Sequence, residues 1–513
     1  MLSLRNNMTI RPHAGQFSIG EAPWQFASAT KHLVLPRGQV LSYCEPLIVT
    51  QVARDAWVMG AVEEGNRDEP PLASRADAPA MNTAESLVQA SRTWVGRWLG
   101  VVGGELVSDC WGSMSVLWRT IGGETRAYSS LGLLKLHAGE PPADERIDFD
   151  LRRHGAPRSG VARLWPVSAL DLASMTCRDL QCPRFNVPQR ATPDEVADAL
   201  AQLGTTAVER LHRRTGLPFL VGLTGGRDSR TVFVIAAKAG LPARSFTFMK
   251  PWMDMTPHDR DVPKTIARRF GTNHCSVKAF GRELRADLRT EVEKHLGFRL
   301  RDIDVPGSNG YYLARDLWKH TGPRSIYLNS FFFDLIQGRY ADFRRKGGWF
   351  ESAGWRIDEG TAPWVAEMLA LAVGNRTRAD DLVESAGLDY WTFNQWSLQS
   401  VMTATDLSEH VVMPIGVCAA LNELGLACEN ADLCASRPQR SFLARHAPEL
   451  SDLRLKPRLK EPIKYLGYLR RGAPGLGTRI AASLGRLLAQ KGVAKRAPPT
   501  PPGTTPTRQG GAR

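Results

Sequence analysis

Pro218-Phe219-Leu220-Val221-Gly222-Leu223-Thr224-Gly225-Gly226-Arg227-Asp228-Ser229-Arg230 decides the fold. It opens on a short, continuous apolar run, the pattern of a strand buried on both faces of a parallel sheet. A glycine pair then marks a turn. Ser229–Ala239 follows with helical character, its Val232, Phe233, Ile235 and Ala236 apolar and Gly240 suited to a stop. In an open α/β sheet a ligand lies outside the carboxyl ends of the strands. Gly225 and Gly226 would let the backbone turn sharply and bring N–H groups near an anion. The helix start adds positive partial charge. Thr224 and Ser229 offer hydroxyl donors to phosphate oxygens. Asp228 would repel a bare phosphate, and makes sense where Mg²⁺ bridges carboxylate and phosphate.

The flanking elements extend the α/β reading. Upstream, Thr192 is a good N-cap, Pro193 suits the first helical position and Glu195 completes a capping box. Val196, Leu200, Leu203, Val208 and Leu211 then recur at near-helical spacing. Downstream, Ala243–Met249 reads as a second strand, Val262–Phe270 as a helix, Tyr311–His320 as another, and Ser325–Leu328 as a further strand. Strand alternates with helix, as in a doubly wound parallel sheet. After Trp349 the pattern turns mostly helical. Before Cys182 it is strand-rich, with apolar runs at Trp94–Val102, Ser115–Trp118 and Ala127–Leu134 between Gly and Pro signals. Residues 183–190 read as a linker.

Composition narrows the class. The 513 residues allow two or three domains. An apolar share of 43% and a charged share of 23% suit a globular chain. No run approaches the roughly 18 apolar residues of a membrane span, and the first residues lack a signal-peptide pattern, so a cytoplasmic location is expected. The formal charge of +14 is concentrated at one end: Arg454–Arg513 carries 14 basic residues against the single acidic Glu461. The rest is nearly neutral, which argues against nucleic acid as a partner. Ile463–Ala494 could lie weakly on an anionic membrane surface, or pack as a solvated amphipathic helix. The Pro/Thr/Gly-rich end from Ala497 is expected to be disordered. The eight cysteines form no C-x-x-C pair, so free thiols are expected rather than a zinc site.

The loop has neither the Gly-Lys-Ser/Thr of a Walker A motif nor G-x-G-x-x-G. Leu223-Thr224-Gly225-Gly226-Arg227-Asp228-Ser229-Arg230 instead resembles the Ser-Gly-Gly-x-Asp-Ser signature of PP-loop ATP pyrophosphatases. Thr224 keeps the hydroxyl of the usual first Ser. The asparagine-synthetase branch is the most similar. Asp259–His274 resembles its helix after the second strand, and Val412-Met413-Pro414-Ile415 its late Val-Pro-Phe segment. Asn329-Ser330-Phe331-Phe332-Phe333-Asp334, followed by Gly338 and Tyr340, is similar to that family's Ser-Gly-x-Gly-x-Asp-Glu and Gly-Gly-Tyr. The aspartate matches; the two early glycines and the Glu do not.

The resemblance implies an α/β, Rossmann-like PP-loop domain over residues 190–465, followed by a helical region within it. It implies an α+β sandwich-like, glutaminase-type domain over residues 1–182, and leaves 466–513 as a basic tail. It implies binding of ATP and Mg²⁺, with Gly222, Thr247 and Phe248 lining the adenine, and Asn329 and Ser330 bordering the ribose or α-phosphate. Asp228 and Asp334 would hold the metal, and Lys460, with Lys456 as rival, would reach the α-phosphate. The expected activity is adenylation of a small-molecule or peptide carboxylate and its transfer to ammonia or an amine. Leu2 follows Met1 and the first cysteine is Cys44, so the cysteine nucleophile of an active glutaminase is not expected. Two alternatives stay open: a tRNA-modifying PP-loop enzyme, and a scaffold whose nucleotide site has decayed, as Phe331–Phe333 in place of glycines would favour.

Overall fold

The computed structural model describes residues 13–77, 81–140, 161–240, 244–249, 257–278, 324–336, 361–386, 409–450 and 453. Five strands form a parallel sheet: β1 Phe219–Gly222, β2 Arg244–Met249, β3 His274–Lys278, β4 Ile326–Asn329 and β5 Val411–Pro414. Their spatial order is β3-β2-β1-β4-β5. The chain steps outward from β1 to β3, then returns to the other side of β1 for β4. That reversal is the topological switch point of a doubly wound sheet.

Alternation along each strand feeds two cores. Phe219 and Val221 of β1, Ile326 and Leu328 of β4, and Val411 and Met413 of β5 face one cluster. It is shared with helices α1 (Pro193–Thr215) and α2 (Arg227–Lys238). Leu220, Tyr327 and Val412 face the opposite cluster, with Met368, Leu369, Ala379 and Leu382 of helices α4 (Thr361–Val373) and α5 (Arg376–Ala386). Helix α3 (Pro257–Arg269) adds Ile266 to the first face. The chain ends its described part with α6 (Ala419–Ala427), α7 (Asn430–Cys434) and α8 (Arg437–His446). None of the described helices is long and apolar enough to cross a membrane.

Helix α1 begins as its sequence signals. Thr192 Oγ1 accepts from Glu195 N at 3.3 Å, and Glu195 Oε2 accepts from Thr192 N at 2.7 Å. Val196, Leu200, Leu203, Val208 and Leu211 are all buried.

Several sequence readings are corrected. Helix α2 starts at Arg227, two residues early, with Gly226 as N-cap, so Asp228 lies in the helix's first turn rather than in the loop. Residues 411–414, read within a helical region, form β5: a four-residue apolar run carries no period that separates strand from helix, and pairing with β4 decides it. Ala127–Leu134 is not one strand. The strand Glu124–Tyr128 stops, Ser130 Oγ accepts from Leu133 N, and the helix Leu131–Ala138 begins. Residues 183–190 do not form an exposed linker, because Arg184 N and Phe185 N both donate to Ala372 O, at 2.7 and 2.9 Å, and Phe185 is buried. The expected helix Tyr311–His320 and the basic tail lie outside the described residues.

Before α1 the chain forms two six-stranded antiparallel sheets. Phe17, Ile19, Leu41 and Ala127 of one meet Met59, Leu99, Val101, Leu106 and Leu170 of the other. The helix Ala84–Ala90 covers the outer face of the second sheet and Leu131–Ala138 that of the first. The layers therefore run helix, sheet, sheet, helix.

This sandwich and the parallel sheet belong to one compact body. Arg210 of α1, 8% exposed, donates to the carbonyls of Glu64, Asn66, Arg67 and Glu69 at 2.7–3.2 Å. Arg97 Nε donates to Val412 O at 3.1 Å, and Gly96 N to Val417 O at 2.9 Å. Replacing Arg210 would leave several carbonyls short of donors in a half-dry junction. Arg210→Ala is expected to lower unfolding stability by about 2–3 kcal/mol, measured by urea denaturation, whereas Arg213→Ala, whose partner Glu209 is an exposed i,i+4 contact, is expected to change it by less than about 0.5 kcal/mol.

Candidate nucleotide site

Strand β1 ends at Gly222, and Leu223 N still donates to Phe246 O of β2 at 2.8 Å. The chain then leaves the sheet. Thr224 N donates to Ser229 Oγ at 2.9 Å, the two side-chain oxygens lie 2.9 Å apart, and Gly226 N donates to Thr224 Oγ1 at 3.1 Å. The loop is thus closed by the two hydroxyls that the sequence singled out. Thr224 is exposed but turns its Oγ1 in to Ser229 Oγ and Gly226 N, and the buried Ser229 pins the loop from below.

The glycines act differently from the expectation. Neither Gly225 nor Gly226 has a positive φ; Gly226 is extended at φ −77°, ψ 165°. What Gly226 supplies is space: a Cβ there would stand 3.2 Å from Thr224 Oγ1, the oxygen its own N–H bonds. Asp228 is half-buried in the first turn of α2, where the helix end favours its negative charge.

Beside β1, β4 ends at Asn329. Asn329 is 4% exposed; its Oδ1 accepts from Phe331 N at 3.1 Å, and its buried Nδ2 has no hydrogen-bond partner. Ser330 is partly buried, and its carbonyl accepts from Phe333 N at 3.3 Å. The single 3₁₀ turn Phe333–Ile336 holds the backbone of Asp334. Because β1 and β4 are hydrogen-bonded neighbours, the Thr224–Ser229 loop and the Asn329–Asp334 segment leave adjacent strand ends, at the switch point. Gly222 lies at the same edge, where a Cβ would come within 3.3 Å of Tyr327 Oη. The backbone of Phe248 pairs with Val277 two residues past Phe246. Lys460 and Lys456 lie outside the described residues.

Three supports were not singled out from the sequence as site residues. Arg230, 1% exposed, donates to Gly225 O and to Leu453 O, both at 3.1 Å, tying the loop to the chain beyond α8. Its one sequence signal is a cation on a helix face otherwise apolar. Burial, and secondarily Arg227, pulls its pKa below the usual range; two guanidinium groups near the loop favour an anionic ligand. Phe332 stands, counting back from Asp334, where the family pattern has its second glycine, and it has φ +69°, a left-handed backbone that is rare for a bulky residue. Gly416 is the third. A Cβ there would stand 2.5 Å from Phe332 C, so the chain after β5 presses on the second motif.

Thr247 and His274 form a strut behind the loop. Thr247 Oγ1 donates to Leu223 O at 2.7 Å, so it accepts from His274 Nε2 at 3.1 Å, and His274 Nδ1 accepts from Ser245 Oγ at 2.9 Å. Both ring nitrogens are thereby used by a neutral imidazole. Burial, with Lys264 nearby, pushes the His274 pKa down to about 4, in keeping with a structural histidine rather than a base.

Cys44, Cys110, Cys418 and Cys428 are buried and the other cysteines half-buried. Among the described residues no group of three or more His, Cys, Asp or Glu side chains could hold a metal ion.

No protein-family model matches the chain, and no curated protein matches it. Among solved structures it is similar to NMN synthetase from Francisella tularensis, at 12% identity over 41% of this chain and 96% of that one, with a TM-score of 0.22. It is also similar to a glutamine-dependent NAD(+) synthetase from Cytophaga hutchinsonii, at 10% identity over 74% and 71%, TM-score 0.22. For the glutamine-dependent NAD+ synthetase from Acinetobacter baumannii, identity is 14% and the TM-score 0.18, and the alignment spans 33% of this chain and 30% of that enzyme's length. TM-scores this low leave the functional reading to the site itself.

The neutral histidine has a consequence for stability. Unfolded His274 titrates near pH 6.5, and folded His274 near 4. Between these values the unfolded chain binds more protons, so stability falls as pH drops from 6.5 toward 4 and is unaffected by this group above 6.5. The buried His410, also pushed to about 4, adds in the same direction. Urea midpoints are expected to fall progressively between pH 6.5 and 4.5, and by less in His274→Gln.

Proposed function

We propose that the chain is an ATP-dependent, AMP-forming ligase of the asparagine-synthetase type, which adenylates a carboxylate and passes the acyl group to ammonia or an amine. The observation that carries this reading is the placement of the two motif segments on adjacent strand ends, β1 and β4, at the switch point. The loop brings the exposed Thr224 and the start of the twelve-residue helix α2 to that edge. The unpartnered Nδ2 of Asn329 supplies a donor beside it.

Two carboxylates on the two motif segments are of the chemistry that suits Mg²⁺. The ion is commonly held by one or two carboxylates together with substrate phosphates and water; Asp228 and Asp334 are the two. When bound, it would offset the charge of the departing pyrophosphate. The Thr224 and Ser229 hydroxyls and the first N–H groups of α2 would orient the phosphates. A substrate carboxylate oxygen would attack the α-phosphorus as the bond to pyrophosphate breaks. The nitrogen of ammonia or an amine would then attack the acyl carbon, lose a proton and displace AMP. Positioning and charge stabilisation account for most of such a reaction. Lys460 remains the proposed α-phosphate contact.

The decayed-site reading rests on Phe331–Phe333. Phe332 packs in the cluster against α4 and α5, and Phe333 in the cluster against α1 and α2, each 1% exposed. Two of the three rings thus fill the cores beside the sheet instead of the crevice, which supports a usable site.

Calorimetric titration of ATP with Mg²⁺ into the wild type is expected to give magnesium-dependent binding, weakened at least about tenfold (1.4 kcal/mol) in Asp228→Ala. Pyrophosphate release on screening carboxylates would then follow. No binding by the wild type, with or without carboxylates present, would sink the ligase reading.

A further inference from the structure

Taking the ATP site proposed above as given, we infer that Tyr327 is a positioning residue for the nucleotide, whose phenol O–H donates to a ring nitrogen of the purine base where β1 and β4 end. Tyr327 belongs to neither motif segment.

Alternation puts Leu220 of β1, Phe246 of β2 and Tyr327 of β4 on the face that α4 and α5 cover. Gly222, two residues beyond Leu220, lies on the same face without a side chain. The backbone of Tyr327 pairs with that of Leu220, but its ring does not stay at that level. A Cβ on Gly222 would stand 3.3 Å from Tyr327 Oη, 3.7 Å from Tyr327 Cε2 and 3.6 Å from Phe246 Cζ. The ring therefore leans toward the carboxyl end of the sheet. Its hydroxyl comes up beside Gly222, two residues before Thr224. Gly222 is half-buried, whereas Leu220 behind it is 1% exposed, so the wall opens here toward the crevice at the switch point.

Tyr327 is 7% exposed. Burial is the one cause that raises its pKa, with no carboxylate or other acceptor drawing on its proton among the described residues. The phenol thus stays protonated and acts as a donor. A buried tyrosine usually has a partner for its O–H. Where packing alone is needed a phenylalanine serves, as Phe246 does 5.6 Å away between ring centroids. Asn329, two residues further along the same face, carries a buried Nδ2 that is likewise a donor without a partner.

Both groups call for an acceptor. The phosphates of a nucleotide belong at the Thr224–Ser229 loop, where the start of α2 favours negative charge. Beside Gly222 the walls are the rings of Phe246 and Tyr327, and none of the side chains named on this face is a cation. A phosphate or carboxylate oxygen would be poorly served there. A purine base suits both features: it is flat and apolar on its faces, and its ring nitrogens accept hydrogen bonds at the edge without carrying charge.

Calorimetry with Mg²⁺ compares ATP with its 1-deaza, 3-deaza and 7-deaza analogues, in each of which CH replaces one ring nitrogen. Wild type is expected to bind one of the three about five- to tenfold more weakly than ATP. Tyr327→Phe is expected to lose the same factor for ATP, and to bind that one analogue as tightly as it binds ATP, because the bond is already gone. A wild type that binds all three analogues like ATP overturns the inference without any variant. So does a Tyr327→Phe with wild-type affinity for ATP, or one weakened equally for ATP and for every analogue, as a purely structural role would give. In each of these cases the ATP site itself stands; a wild type that binds no ATP sinks both.

Discussion

Strand β1 is hydrogen-bonded on both edges and covered on both faces, and the rest of the candidate site depends on that confinement. β2 and β4 flank it, Phe219 and Val221 enter one core and Leu220 the other. A strand held this way cannot slip, because a one-residue shift would exchange its two faces. Its carboxyl end is therefore a fixed point from which the loop departs. The Thr224–Ser229 bonds then set the loop's shape, and Thr247 and Arg230 brace Leu223 and Gly225 from behind.

The second motif is held by packing rather than by glycine flexibility. Phe332 keeps a left-handed backbone, a conformation that costs roughly 1–3 kcal/mol in a bulky residue. Full burial of its ring offers a comparable gain, about 1.5–3 kcal/mol. The chain after β5 helps to maintain it, since Gly416 is small enough to lie against the Phe331 and Phe332 backbone. A phenylalanine can thus stand at a glycine position without the segment losing its place beside β1.

Apolar side chains such as Ala61, Val95, Trp111 and Trp165 join the sandwich to the sheet layers, and arginines add polar contacts whose energetic weight differs with burial. Arg190–Glu429 is a 3.0 Å ion pair with both side chains largely exposed, and such pairs contribute little. Arg210, buried and bonded to four carbonyls, belongs to the other class, since those carbonyls have little water to replace it. Arg184, buried at the same junction, donates from Nε to Pro166 O. Arginines at this junction both satisfy backbone carbonyls and pair with carboxylates, as Arg214 does with the buried Glu63 at 3.4 Å and Arg92 with Glu423.

The sequence by itself determined the elements whose signals are local. The β1–loop–α2 unit, the Thr192 cap and the buried stripe of α1 were legible because apolar periodicity, capping residues and glycine position depend on neighbours a few residues apart. Thr224, Ser229 and Asp228 were singled out by their place in the turn after an apolar run, and Asp334 by its match to a family motif. Only the tertiary structure decided what depends on distant pairing. It made 411–414 a strand by setting it against β4, drew 184–185 into the body through Ala372, and ended the strand before Ser130. It also put Asn329 beside Gly222 and Arg230 against residue 453. None of these could be read along the chain. Each joins segments separated by stretches that carry no mark of the contact, and burial, which gives the contact its energy, exists only once the layers have closed.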